Sequence, residues 1–135
     1  MARLFGEEFS GGQLRQRVGC LSQIAGANPF RYSGGRADGV RAVSVRTGSG
    51  LSFVVLLDRG LDIACAEYCG KPIGWISKNG VVAPAHFEPQ GFGWLRSFGG
   101  GLLTTCGLTQ VGAPCTDGGE ALGLHGRISH LPAEN

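Results

Sequence analysis

Residues 39–69 read "GVRAVSVRTGSGLSFVVLLDRGLDIACAEYC", and their hydrophobic period decides the fold. In the first part, Val40, Ala42, Val43 and Val45 stand against Arg41, Ser44 and Arg46, the alternation of a half-buried strand, and "TGSG" supplies a turn. "LSFVVLL" is an apolar run of strand length closed by a polar corner at Asp58, Arg59 and Gly60, and "LDIACAEYC" starts again at once. The spacing predicts three strands near 39–47, 51–57 and 61–68. Their connections are too short for a helical crossover, so they should pair antiparallel as a meander.

Outward from this core the same reading continues. "KPIGWIS" (71–77) is expected as a fourth strand, and the proline- and glycine-rich stretch 79–101 as a long ordered loop of the kind that carries function. "GLLTTCGLTQVG" (101–112) is strand-like through Thr104, Thr105 and Val111; "APCTDGGEALG" (113–123) is turn-rich; and "LHGRISHL" (124–131) is expected as a last short strand. On the N-terminal side, "EEFSGGQLRQRVG" (7–19) approaches helical amphipathicity, but Gly11 and Gly12 are expected to interrupt any helix. The fold class is therefore all-β and antiparallel, without an internal repeat or a linker dividing the chain.

Composition fits a globular chain rich in turns. The 135 residues contain 42% hydrophobic and 16% charged side chains and 25 glycines. Twelve basic and ten acidic residues leave a net charge of +2 with no Lys/Arg cluster, so neither nucleic acid nor an anionic membrane is expected as partner. No apolar run reaches the roughly 20 residues of a membrane helix. The N-terminus has two acids within its first eight residues and no apolar signal region. Five cysteines among apolar and glycine neighbours are expected as reduced, buried thiols, and the location as cytoplasmic.

Several chemistries lack their residues. Cys65 and Cys69 could share a strand face, but no second pair with zinc spacing follows them, so no metal is expected. No G-x-S-x-G elbow is present, and "RSFGGGLLTT" lacks the glycine spacing and the lysine of a phosphate loop, so no cofactor is expected. What remains is a set of polar and aromatic residues among glycines: Trp75, His86, Phe92, Trp94, Arg96, Gln110, His125 and Arg127. Sugars offer C–H faces to aromatic rings and hydroxyls to fixed donors and acceptors, and such a set suits them. The alternatives are core packing for the tryptophans, surface ion pairs for the arginines and a structural role for the histidine. Around His125, Gly123 and Gly126 are expected to clear space for a ligand to approach the backbone.

Taken together, "LLDRGLDI" (56–63), "GFGWLRSFGGGLLTTCGLTQVGAP" (91–114) and "GLHGRIS" (123–129) resemble the DUF4432 family, grouped with aldose 1-epimerases in the galactose mutarotase-like superfamily. The resemblance runs from "RVGCLSQIAG" near residue 17 to the C-terminus. It implies a β-sandwich whose concave sheet binds a monosaccharide or sugar derivative, and it sets His125-Gly126-Arg127 beside the His-Gly motif that contacts sugar hydroxyls. The implied site residues are His125, Arg127, Arg96 and Trp94, the last as a stacking surface.

The implied chemistry is opening of a cyclic hemiacetal, in which a base takes the anomeric proton and an acid protonates the ring oxygen. In the superfamily a second histidine downstream is the acid, and a glutamate further on is the base. His130 and Glu134 stand too close to His125 for those roles, and no catalytic residue is assigned. Residues 1–135 are accordingly expected as one incomplete mutarotase-like domain, the N-terminal half of the sandwich, paired with a companion C-terminal segment or with copies of itself. The expected function is sugar binding of the aldose 1-epimerase type, with epimerisation when the fold is completed; the alternative is a non-catalytic sugar-binding or assembly module.

Overall fold

A computed structural model describes residues 2–4 and 6–133; Glu134 lies outside the described residues. Strands β1 (Ala2–Leu4) and β2 (Glu7–Phe9) form a hairpin, followed by helix α1 (Gly11–Arg17). Next come β3 (Gly26–Arg31), β4 (Arg41–Arg46), β5 (Leu51–Leu56), β6 (Asp62–Tyr68) and β7 (Lys71–Pro72). These five make one antiparallel sheet in sequential order, the expected meander with a strand added at each side. Both additions contain proline, Pro29 in β3 and Pro72 in β7, and both lie at sheet edges, where a missing N–H breaks no central ladder.

Strands β8 (Trp75–Ile76) and β9 (Gly100–Gly101) pair with each other, as do β10 (Cys115–Asp117) and β11 (Glu120–Leu122). The stretch 71–77 is thus two short strands in different sheets. Residues 101–112 do not form a strand: beyond β9 they make two isolated bridges, Ile63↔Leu103 and Gly107↔Gly126. A Cβ on Gly101 would overlap the Ile63 carbonyl oxygen, so this segment crosses close over β6 instead of lying beside it. The turn-rich stretch 113–123 is the β10–β11 hairpin, and residues 124–131 end in a 3₁₀ turn, Ile128–His130, where a strand was expected.

Helix α1 also departs from expectation. Its glycines occupy the first turn, where tertiary contacts and a cap offset their low propensity. Ser10 accepts a hydrogen bond from Gln13 N–H at 3.2 Å, and the Gln13 side chain accepts from Ser10 N–H at 2.8 Å, a complete capping box.

The main core lies under one face of the sheet. Val40, Ala42, Leu56 and Ala64 are buried there, with Tyr32, Val54, Val81 and Ala83 packed on them, so the long loop 79–101 covers this face. A second small cluster, Leu4, Phe9 and Leu14 with Ile24, ties α1 to the N-terminal hairpin. On the opposite sheet face the cross-strand pairs Val43↔Val55 and Val45↔Phe53 are only half-buried. Trp75, Ile76, Phe92, Leu102, Leu103 and Leu108 are exposed. All five cysteines are free, yet exposed rather than buried, because they fall outside both clusters, Cys65 on an outward position of β6. Cys69 lies beyond β6 with φ 49°, in a turn and not on a face shared with Cys65. Among the described residues no helix is long and apolar enough to cross a membrane.

Candidate functional site

His125 is gripped by three stretches of chain. Its N–H donates to the Gly112 carbonyl at 3.0 Å, its carbonyl accepts from Gly107 N–H at 2.8 Å, and next to it Leu124 N–H donates to the Gly91 carbonyl at 2.9 Å. The residue takes φ 57°, a left-handed conformation uncommon outside glycine, held here by these bonds. The neighbouring glycines serve this clamp and do not clear space for a ligand. A Cβ on Gly123 would overlap the Pro89 carbonyl oxygen, and one on Gly126 (φ 69°) the Gly107 carbonyl oxygen. The Gln110 side chain completes the fastening by donating to the Gly123 carbonyl.

The ring of His125 is oriented too. Gly112 N–H donates to Nδ1 at 3.3 Å, so in the neutral ring the proton sits on Nε2. Nε2 has no protein partner among the described residues. There the single buried side-chain nitrogen or oxygen without a hydrogen bond is Arg59 Nε, so His125 Nε2 is not fully buried. Edge-on to the ring stands Trp94, with centroids 4.9 Å apart at 76°.

Trp94 is 6% exposed and belongs to the 3₁₀ turn Gly93–Arg96. One face stacks on Phe98, with centroids 4.9 Å apart. Arg96, on the same turn, points outward and pairs with the Glu88 carboxylate. Arg127 is exposed, and its guanidinium has no partner among the described residues. The structure therefore brings Trp94 and His125 together; among the described residues no ring contact, ion pair or hydrogen bond joins Arg96 or Arg127 to His125. Of the wider set, Trp75 and Phe92 are exposed.

Sequence reasoning missed a buried polar network behind this pair. Trp94 Nε1–H donates to Ser129 Oγ at 3.0 Å, and Ser129 Oγ lies 3.3 Å from His130 Nδ1. His130 Nε2 lies 2.7 Å from Ser97 Oγ, which donates to the Trp94 carbonyl at 3.1 Å. Because the Ser97 hydroxyl donates to the Trp94 carbonyl, its oxygen must accept from His130 Nε2–H. In the neutral ring Nδ1 is then an acceptor and takes its bond from the Ser129 hydroxyl, whose oxygen accepts from the indole N–H. The circuit closes on Trp94. Burial, then the Arg59 guanidinium, hold the His130 pKa down to about 3.

Arg59 and Asp62, 2% and 3% exposed, underlie the circuit. Arg59 Nη1 donates to the carbonyls of Val82 (2.9 Å) and Ser97 (3.1 Å), and Nη2 lies 3.4 Å from Asp62 Oδ2. Asp62 Oδ1 accepts from both the N–H and the hydroxyl of Thr105 at 2.7 Å. Burial nonetheless raises the Asp62 pKa above its ordinary value. A signal existed in the sequence: Arg59 and Asp62 interrupt an otherwise apolar stretch, as buried paired charges do. Among the described residues no three His, Cys, Asp or Glu side chains converge as a metal site.

Comparison with solved structures places this geometry. The crystal structure of a candidate aldose 1-epimerase from Klebsiella pneumoniae subsp. pneumoniae MGH 78578 matches with a TM-score of 0.70 and 28% sequence identity, over 78% of this chain. The chain spans 28% of the length of that protein. The antiparallel β architecture and the aldose-epimerase resemblance are thereby shown. No curated protein sequence matches the chain. The family described as "Domain of unknown function (DUF4432)" matches residues 37–135, from just before β4 through the His125 loop. The chain belongs to the DUF4432 family.

Proposed function

We propose that this chain binds a monosaccharide or sugar derivative as part of an aldose 1-epimerase-like protein, with His125 donating its Nε2–H to a sugar hydroxyl. The observation that carries this reading is the orientation of His125: Nδ1 engaged by Gly112, the ring nearly perpendicular to Trp94, and Nε2 without a protein partner among the described residues. A donor fixed on a rigid frame is what selects among hydroxyl positions. Arg127, unpaired among the described residues, and Arg96, which can exchange Glu88 for a ligand, are the cations for an anionic substituent. Trp94 forms the apolar wall behind His125.

Anomer interconversion, as in aldose 1-epimerases, is the reaction we assign to the fuller protein, of which residues 1–135 form one incomplete sandwich domain. No residue of this chain is assigned as its acid or base. The five unpaired thiols accord with a cytoplasmic location. The test is titration calorimetry with a panel of aldoses, uronic acids and sugar phosphates, alongside NMR of anomer exchange. Replacing His125 by Ala should weaken binding of the preferred sugar by roughly 0.5–1.5 kcal/mol; unchanged affinity removes His125 from the site.

A second reading, an assembly module, is favoured by the exposed apolar side chains Trp75, Ile76, Phe92, Leu102 and Leu103. Their cover would be a companion C-terminal segment or a second copy of the chain. Sedimentation velocity across a wide concentration range decides: concentration-dependent association supports this reading, and a monomer throughout opposes it.

A further inference from the structure

The turn that carries Trp94 and the turn that follows His125 are distant in sequence and meet through the hydrogen-bond circuit alone among side-chain bonds. One side of the circuit is the Trp94 indole and carbonyl with Ser97; the other is Ser129 and His130, only four and five residues beyond His125. Ser97 and Ser129 are fully buried, and His130 is further fixed by stacking on Phe87. Two of these bonds, Trp94 Nε1–H to Ser129 and His130 Nε2 to Ser97, cross between the turns, and the other two brace the groups within each turn. What the joint sets is the spacing between the Trp94 edge and the His125 ring.

We propose that Ser129, His130 and Ser97 are positioning residues for the His125 site, holding the Trp94 indole so that it keeps the His125 ring in the plane in which Nδ1 meets Gly112 N–H and Nε2–H faces outward. The argument is geometric. His125 has one hydrogen bond from protein to its ring, at 3.3 Å, which leaves rotation about the side chain open to a moderate displacement. The Trp94 ring, with its centroid 4.9 Å away and nearly perpendicular, limits that freedom. If the indole shifts, the ring turns, the Nδ1 bond opens, and the two neutral tautomers of His125 become comparable in energy. Among the described residues Ser129 supplies the only acceptor for the indole N–H, so it is the residue on which the arrangement depends most directly.

This rests on the reading of His125 as the sugar contact, and the experiment separates the two. Histidine side-chain nitrogens are observed by NMR in ¹⁵N-labelled, unliganded chain, with His125 assigned by difference against H125Q. In the wild type, His125 shows one tautomer, protonated on Nε2. In S129A, and in W94F, which keeps an aromatic ring but removes the indole donor, the His125 nitrogens move toward averaged values while the amide spectrum of the five-stranded sheet is retained. Sugar affinity in the same variants falls roughly two- to tenfold, the worth of one hydrogen bond.

Wild-type His125 signals in either folded variant overturn the positioning role, whatever the affinity does. Shifted signals with no sugar bound by any form, wild type included, uphold the positioning role and overturn the sugar reading. Should S129A fail to fold, W94F decides.

Discussion

The imidazole of His130 lies flat on the Phe87 ring, centroids 3.8 Å apart and 14° from parallel, with Ser97 and Ser129 on its two nitrogens. No water-facing side remains through which it could take up a proton cheaply. Its pKa of about 3, set first by burial and then by Arg59, lies far below the 6.5 of an exposed histidine. Between these values the unfolded chain binds a proton that the folded chain refuses. Stability therefore rises with pH through this window and is lost as pH falls from about 6.5 toward 3. Asp62, raised by burial, favours the folded state when protonated and blunts the acid end of the slope. Circular dichroism melts from pH 7 to pH 4 should show the midpoint falling by an amount worth a few kcal/mol. H130Q should be less stable at pH 7 and show a flatter pH profile.

The two tryptophans should report opposite environments. Trp75 is 65% exposed, whereas Trp94 is 6% exposed and bonded through its indole. In W94F the remaining fluorescence should be red-shifted and quenched by iodide; in W75F it should be blue-shifted and protected. Truncation to Ala should cost roughly 3–5 kcal/mol at Trp94, and within about 0.5 kcal/mol at Trp75, measured by urea denaturation.

Gly126→Ala meets both a left-handed backbone and an overlap with the Gly107 carbonyl oxygen, and the Gln110 carbonyl oxygen stands 2.8 Å from the added Cβ. A loss of about 3 kcal/mol or more is expected from strain and steric displacement together. Gly6→Ala, also at positive φ but with open space around it, should cost only the conformational part. Comparing the two by thermal unfolding separates close packing from backbone geometry; equal losses would contradict the packing account.

All five thiols are free and exposed, so about five equivalents should react with a disulfide reagent in the native chain. Cys20 should react first, because the Ser22 hydroxyl, 2.9 Å away, stabilises its thiolate and lowers its pKa. Peptide mapping after brief labelling checks the order. Slow reaction until denaturant is added would contradict the exposure.

The central meander was legible because period-two alternation in β4 and the apolar run of β5 have few other solutions. Residues 101–112 misled because Thr104, Thr105 and Val111 carry strand propensity, while the close crossing over β6 depends on Gly101 and leaves no ladder to join. Helix α1 runs against the low helix propensity of Gly11 and Gly12, although Ser10-Gly11-Gly12-Gln13 spells a capping box. At the site, the pairing of Trp94 with His125 was within reach of sequence reasoning. The circuit through Ser97, Ser129 and His130 was not, since serines and a histidine scattered over two turns acquire a joint role only once the turns meet.

The clamp on His125 has a kinetic side. Its bonds reach Gly91, Gly107 and Gly112, so every one of them spans a loop that must close before the bond can form, whereas β4 and β5 zip together across the Gly48–Ser49–Gly50 turn. Local pairings form early and open last; bonds across long loops form late and open first. Amide exchange should therefore be fast at His125 and Arg127 and slow at Val43 and Val55. The His125 loop would then open and reclose many times within one lifetime of the sheet, and a sugar bound as proposed would be felt first as slower exchange at those loop amides.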